Sequence, residues 1–238
     1  MAAPLLEITA LTKRFGGFMA LNGVSIAVKP GERFGLIGPN GSGKTTLINC
    51  VSGSLPTDGG RIVFEGQDIT SMPAHRRTRL GIVRSFQIPK PFTSMTVLEN
   101  LGIPLENAGH ARAGDGAQAM EILTTIGLAS KAHLRPAGLT QIEMRKLELA
   151  RAMAARPKLL ISDEAMAGLS SAEVDDILAL LFRLNERGIT IVMIEHIMRA
   201  VMRFSERVVV LDAGERIAEG TPAEIVRNPA VEKAYLGE

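Results

Sequence analysis

Tryptophan is absent from the 238-residue chain, and tyrosine and cysteine occur once each. The single Cys50 excludes an internal disulfide and fits a reducing compartment. No stretch suits a membrane span. The longest uncharged run, residues 15–28, has 14 residues and includes Gly16, Gly17, Asn22 and Gly23, whereas a spanning helix needs roughly 20 apolar residues. Residues 1–14 lack the basic lead and apolar stretch of a secretory signal. Charge of one sign is missing too. With 27 Lys and Arg against 25 Asp and Glu, the net charge is +2, too balanced for a polyanion coat or a charged disordered tail. What is abundant is apolar residue, 46% of the chain, enough for a sizeable core in one large domain or two lobes.

Short apolar runs bounded by Gly and Pro alternate with helix-like stretches. Strands are expected over 5–10, 24–28, 33–37, 61–64, 82–85, 159–162, 190–194 and 207–211. Several are apolar and β-branched throughout, as in strands covered on both faces. The alternation predicts an α/β fold with a largely parallel sheet. Capping boxes are spelled by Thr96 with Glu99, Thr140 with Glu143, Ser170 with Glu173 and Thr221 with Glu224, each predicting a helix start. Strand signals vanish between about 88 and 155. One domain over 1–238 is therefore expected, with a core lobe from 1–87 and 156–238 and an inserted helical lobe over 88–155.

The strongest chemical signal is Gly38-Pro39-Asn40-Gly41-Ser42-Gly43-Lys44-Thr45-Thr46. It follows a predicted strand and opens a predicted helix, the context that gives G-x-x-x-x-G-K-[ST] its meaning. Glycines let backbone N–H groups turn toward phosphate oxygens, and a helix N-terminus adds partial positive charge. Lys44 would reach the β- and γ-phosphates, and the Thr45 hydroxyl would hold Mg²⁺. A second apolar strand ends in Asp163 and Glu164. At such a position one carboxylate, Asp163, suits the metal, and the other, Glu164, suits activation of the attacking water.

With these residues in order, the whole chain resembles ATP-binding-cassette (ABC) ATPases. The resemblance implies a P-loop NTPase fold with a largely parallel core sheet, an antiparallel β subdomain and an inserted helical subdomain. It implies ATP and Mg²⁺ as nucleotide and metal. It assigns Phe15 to stacking on adenine, Gln87 to Mg²⁺ and to communication with the membrane subunit, and His196 to the γ-phosphate. Gly168-Leu169-Ser170-Ser171 falls at the loop that crosses to the second subunit. Lys13-Arg14-Phe15-Gly16-Gly17, Gly66-Gln67-Asp68-Ile69-Thr70, Met95-Thr96-Val97-Leu98-Glu99-Asn100 and Ala234-Tyr235-Leu236-Gly237 are similar to ATPase subunits of importers for branched-chain amino acids and related hydrophobic or amide substrates. Implied partners are a second ATPase subunit, two membrane permease subunits and, indirectly, a periplasmic or surface substrate-binding protein. The implied location is peripheral, at the cytoplasmic face of the cell membrane. Nucleic acid is not expected. Lipopolysaccharide-export ATPases and soluble, non-transport ABC ATPases are the alternatives.

One stretch departs from the family. Its signature, Leu-Ser-Gly-Gly-Gln, aligns with Leu139-Thr140-Gln141-Ile142-Glu143. Thr140 keeps a hydroxyl for nucleotide. Ile142 replaces a glycine that approaches the phosphate bound to the other subunit, and Glu143 brings a carboxylate there. One competent and one weak site are expected when this chain pairs with a different ATPase subunit that has a good signature, and two weak sites when it forms a homodimer. Ala165 stands where Pro usually follows the catalytic Glu, and Ile197 where Asp often follows the His. The basic run His75-Arg76-Arg77-Thr78-Arg79, with Arg84 nearby, reads as a solvated face.

Overall fold

The computed structural model describes residues 3–85, 89–107 and 116–236. Two sheets organise the described residues. One is antiparallel and four-stranded, in the order β2 (Phe18–Val28), β1 (Leu6–Phe15), β4 (Gly59–Phe64), β5 (Gln67–Asp68). The other has six strands in the order β10 (Glu215–Gly220), β9 (Arg207–Asp212), β3 (Arg33–Ile37), β8 (Thr190–Ile194), β7 (Leu159–Asp163), β6 (Ile82–Ser85). Strands β9, β3, β8, β7 and β6 are mutually parallel, and only β10 runs against its neighbour. The all-apolar strands of the sequence are those parallel ones. Every residue of β7 and β8 is buried, because both faces of the sheet are covered.

Helices α1 (Lys44–Ser52), α2 (Ala74–Leu80), α6 (Ser171–Glu186), α7 (Met198–Phe204), α8 (Pro222–Val226) and α9 (Pro229–Leu236) accompany the sheets. Between β6 and β7 the described residues form only helices: α3 (Glu99–Asn107), α4 (Gly116–Ile126), α5 (Gln141–Ala154) and two short 3-10 turns. All four predicted capping boxes form. Thr140, Ser170 and Thr221 each accept from the third residue's N–H while that residue's Glu takes the cap N–H. Thr96 and Glu99 exchange the same pair of bonds, at 3.2 and 2.7 Å.

The apolar surplus divides between two cores. One lies between the antiparallel sheet and the near face of the parallel sheet, with Leu11, Leu21, Phe34, Cys50, Ile62 and Phe64. The other joins the far face to the helices, with Leu101, Leu123, Leu147, Ile177, Met193 and Phe204. Cys50 is fully buried and packs as a small hydrophobe. The basic run departs from its expected solvated character at one position. Arg77 is 2% exposed and donates to the carbonyls of Cys50, Val51, Met72 and Thr70 at 2.6–2.9 Å. Its guanidinium thus closes the C-terminal end of α1, where unpaired carbonyls favour a cation.

Candidate nucleotide site

Parallel strands put their carboxyl ends on one edge, and the register aligns three of them. Ile194 of β8 faces Leu36 of β3 on one side and Asp163 of β7 on the other. The residues that follow leave the sheet together: Gly38 to Thr46 after β3, Glu164 after β7, and Glu195-His196 after β8. They surround an open cleft of about 250 Å³ lined by Asn40, Gly41, Ser42, Gly43, Lys44, Thr45, Thr46, Glu164 and His196. Ligand sites of open α/β sheets lie at such an edge.

Two glycines are required by close packing. Gly38 has φ +150 and lies against the Leu211 carbonyl, and Gly43 has φ +102 with the Ala20 carbonyl where a side chain would begin. At Gly41 the corresponding space is open. Gly43 caps α1 without any side-chain hydrogen bond, and no acidic residue stands in the first turn. The N-terminal N–H groups of α1 therefore have no anion of their own. Lys44 is 6% exposed and donates from Nζ to the carbonyls of Gly38 and Pro39 at 2.7 and 2.9 Å. Burial lowers its pKa, and the carboxylates of Glu164 and Asp163 oppose that shift.

Glu164 Oε1 lies 2.8 Å from His196 Nε2, so the two residues proposed for catalysis are already in contact. Glu164 has φ 48, unusual for a residue with a side chain. Asp163 is 7% exposed and pairs with Arg84, whose Nη2 is 2.5 Å from Oδ2 and whose Nη1 donates to Asn49. Arg84 thus faces the cleft's acidic strand rather than solvent. Glu195, 2% exposed, is raised to about 7 by burial and by the neighbouring Glu164 and Asp163 charges, against hydrogen bonds from the Met166 and His196 N–H groups.

Some predicted residues stand apart from this cluster. Phe15 is 49% exposed at the β1–β2 hairpin, with Lys13 Nζ 5.7 Å from its ring. Its cross-strand neighbour Phe18, 63% exposed, lines the cleft instead. The sequence offered a clue to Phe18: it is a second aromatic three residues on, in a chain with few. Thr140 starts α5 and is not among the residues lining the cleft. Gln87 lies outside the described residues. Arg84 and Glu195 were missed because nothing local distinguishes a strand arginine from a surface one, or an acid before a histidine from a cap.

Residues 21–167 match the family model described as "ABC transporter", and residues 215–238 match "Branched-chain amino acid ATP-binding cassette transporter". Two curated relatives are each 39% identical across the full length of both chains. They are the high-affinity branched-chain amino acid transport ATP-binding proteins BraF of Pseudomonas aeruginosa and LivG of Escherichia coli K12. The chain belongs to the ABC transporter family, as an ATPase subunit. The fold agrees. A crystal structure of the ADP conformation of an ABC transporter's ATP-binding cassette superposes with a TM-score of 0.90 at 35% identity, covering 100% of both chains. A dimeric cassette in a post-hydrolysis state with ADP and Pi gives 0.81 at 27%, covering 91% of this chain and 98% of that one. For an ABC ATPase, the open N-terminus of α1 suits the binding of nucleotide phosphates.

Proposed function

We propose that this ATPase energises import of branched-chain or other hydrophobic amino acids, working with a second ATPase subunit on two membrane permease subunits fed by a substrate-binding protein. The observation that carries this is the full-length likeness to BraF and LivG, joined to the C-terminal match. The chain would lie peripherally at the cytoplasmic face of the membrane; among the described residues no helix is long and apolar enough to cross one.

Within the cleft the roles follow from position. The N–H groups at the start of α1 and the Lys44 ammonium bind the β- and γ-phosphates. Phe15 supports the base from the hairpin, with Phe18 as a second apolar surface at the mouth. Glu164 takes the proton of the attacking water, and His196, 2.8 Å away, fixes that carboxylate and donates toward the γ-phosphate. Such chemistry depends on positioning and charge stabilisation. Mg²⁺ fits the residues present. The described residues offer no group of three or more His, Cys, Asp or Glu for a protein-only cage. Mg²⁺ on a nucleotide needs only one or two protein ligands beside phosphates and water, and Thr45 and Asp163 supply those, with Gln87 assigned to the same role by family pattern. When bound, the ion offsets charge on the β- and γ-phosphates.

The permease would meet the cleft of about 320 Å³ between α2, β6 and the helices α3 and α5, lined by Thr78, Arg84, Pro104, Glu148 and Arg151. Arg151 stacks 5.0 Å from the ring of Phe92, which is 38% exposed, and binds the Lys90 carbonyl. Apolar and charged groups are thus both on offer beside the segment that follows Gln87. Co-expression with candidate permease subunits tests the proposal. Co-purification, with ATP turnover stimulated by the loaded binding protein, is expected. A chain that purifies without permease and hydrolyses ATP regardless of binding protein would overturn the importer assignment.

A further inference from the structure

The turn after β7 carries Glu164, and side chains with no part in the chemistry above converge on it. The Glu164 N–H donates to the Ile194 carbonyl at 2.9 Å. Two residues on, the fully buried Met166 donates its N–H to Oε1 of Glu195 at 2.8 Å. The Ala167 carbonyl accepts from Nη2 of Arg145 at 3.1 Å. At Gly168, φ +79, a side chain would begin 3.0 Å from Nε2 of Gln141. Glu195 leaves β8 just before His196, whereas Gln141 and Arg145 both belong to α5, the helix opened by the divergent 139–143 segment. The turn is therefore held from two directions at once.

The holding groups are costly to bury. Arg145 is 9% exposed, and its Nε and Nη1 have no hydrogen-bond partner among the described residues. Burial lowers the pKa of that guanidinium, and the nearby Glu195 and Glu148 carboxylates oppose the shift. Without Glu195, the buried Met166 N–H would lose its acceptor and stand unsatisfied. The left-handed Glu164 backbone needs such support, since strained residues persist only where their surroundings over-determine them.

We propose that Glu195 and Arg145 are positioning residues that lock the 164–168 turn from the β8 end and from α5, so that the aim of Glu164 is tied to the placement of the signature helix. This rests on the ATPase activity assigned above. The test uses the full-length chain, with three readouts: single-turnover ATP hydrolysis, nucleotide affinity, and amide exchange in a peptide covering 160–170. Glu195→Ala should slow hydrolysis about ten- to a hundredfold, the range a misplacement near 1 Å produces. It should leave nucleotide Kd within about twofold and speed exchange at Met166. Glu195→Gln, whose amide carbonyl still accepts from Met166, should stay close to wild type in all three. Arg145→Ala should also slow hydrolysis at unchanged Kd, and the double variant should lose less than the product of the single losses. Wild-type hydrolysis by either alanine variant would overturn the proposal, as would affinity lost in step with rate, or Glu195→Gln as slow as Glu195→Ala. If alanine at 195 prevents folding, Arg145→Ala decides alone on the same criteria. If the wild-type chain hydrolysed no ATP even when mixed with a second ATPase subunit whose signature is intact, the ATPase assignment would fall; unchanged Met166 exchange in Glu195→Ala would separately overturn the lock.

Discussion

Two helix N-termini in this chain begin with the same physical resource and use it in opposite ways. Each leaves backbone N–H groups unpaired and carries partial positive charge. At α1 the cap is Gly43, with no side-chain bond and no acid in the first turn; the donors stay open to the cleft. At α5 the cap is Thr140, and Glu143 closes a full capping box. The Glu143 carboxylate takes the Thr140 N–H at 2.9 Å and is itself paired to Lys131 at 2.6 Å. Strong capping stabilises a helix, and anion binding needs the same donors left open. The P-loop helix forgoes the cap and the signature helix keeps it; in the proposed reading the first holds the chain's own nucleotide and the second serves a partner's nucleotide less well.

The sharpest way to break this comparison is at the open end. Glu164→Gln removes the base and keeps the contact surface, so ATP should bind normally while turnover falls about 10²- to 10⁴-fold. Lys44→Ala should act on the other quantity. Losing charge-assisted bonds to two phosphates should weaken nucleotide binding on the order of 100-fold. Isothermal titration with ATP beside a phosphate-release assay separates the two. Equal losses of binding in both variants would mean that the cleft does not divide labour as its geometry implies.

What could be read in the sequence was whatever is local. Capping boxes involve four consecutive residues, and all four formed. Strands β3, β6 and β8 have the expected bounds, since buried parallel strands announce themselves by continuous apolar runs. By contrast β10, Glu-Arg-Ile-Ala-Glu-Gly, is an edge strand half open to water and carries no such run. Strands β1 and β2 extend past their apolar parts because they pair with each other out to Phe15 and Phe18. The P-loop and the Asp163-Glu164 strand end stood out by motif spacing and His196 by family resemblance, and the structure brings them to one edge of the parallel sheet. Arg84, Arg145 and Glu195 act through groups 22 to 79 positions away, and no pattern along the chain records such approaches.

The open face also carries a pH-dependent cost. Burial raises the Glu195 carboxyl from 4.5 to about 7. Between those values the folded chain keeps a proton that the unfolded chain has released. Stability therefore falls as pH rises from about 4.5 to 7, and levels off above. The full shift corresponds to about 3 kcal/mol. Glu195→Gln has no proton to lose, so the difference in unfolding free energy between wild type and variant, followed by urea titration from pH 4.5 to 8, should grow in the variant's favour and then flatten. A constant difference would mean that Glu195 is ionised throughout.

The smallest effect expected bears most directly on the comparison. If the closed N-terminus of α5 limits the partner's site, reopening it should help, and only in the arrangement where that site is used. Ile142→Gly removes the β-branched side chain at the approach to phosphate, and Glu143→Gln removes the carboxylate while leaving an amide to cap Thr140. Together they should raise ATP turnover of the purified chain alone by about tenfold, equivalent to roughly 1.4 kcal/mol of barrier. The gain should be partial, because glycine inside a helix start costs about 1 kcal/mol of helix stability and Lys131 loses its ion pair. Mixed with a second ATPase subunit whose own signature is intact, the wild-type chain already has one competent site, so the same substitutions should change turnover by no more than about twofold, the gain from adding one site to one. Brisk hydrolysis by the unmodified chain alone, unmoved by glycine at 142, would show that the capped helix end serves phosphate as well as the open one and would remove the asymmetry between the two helices.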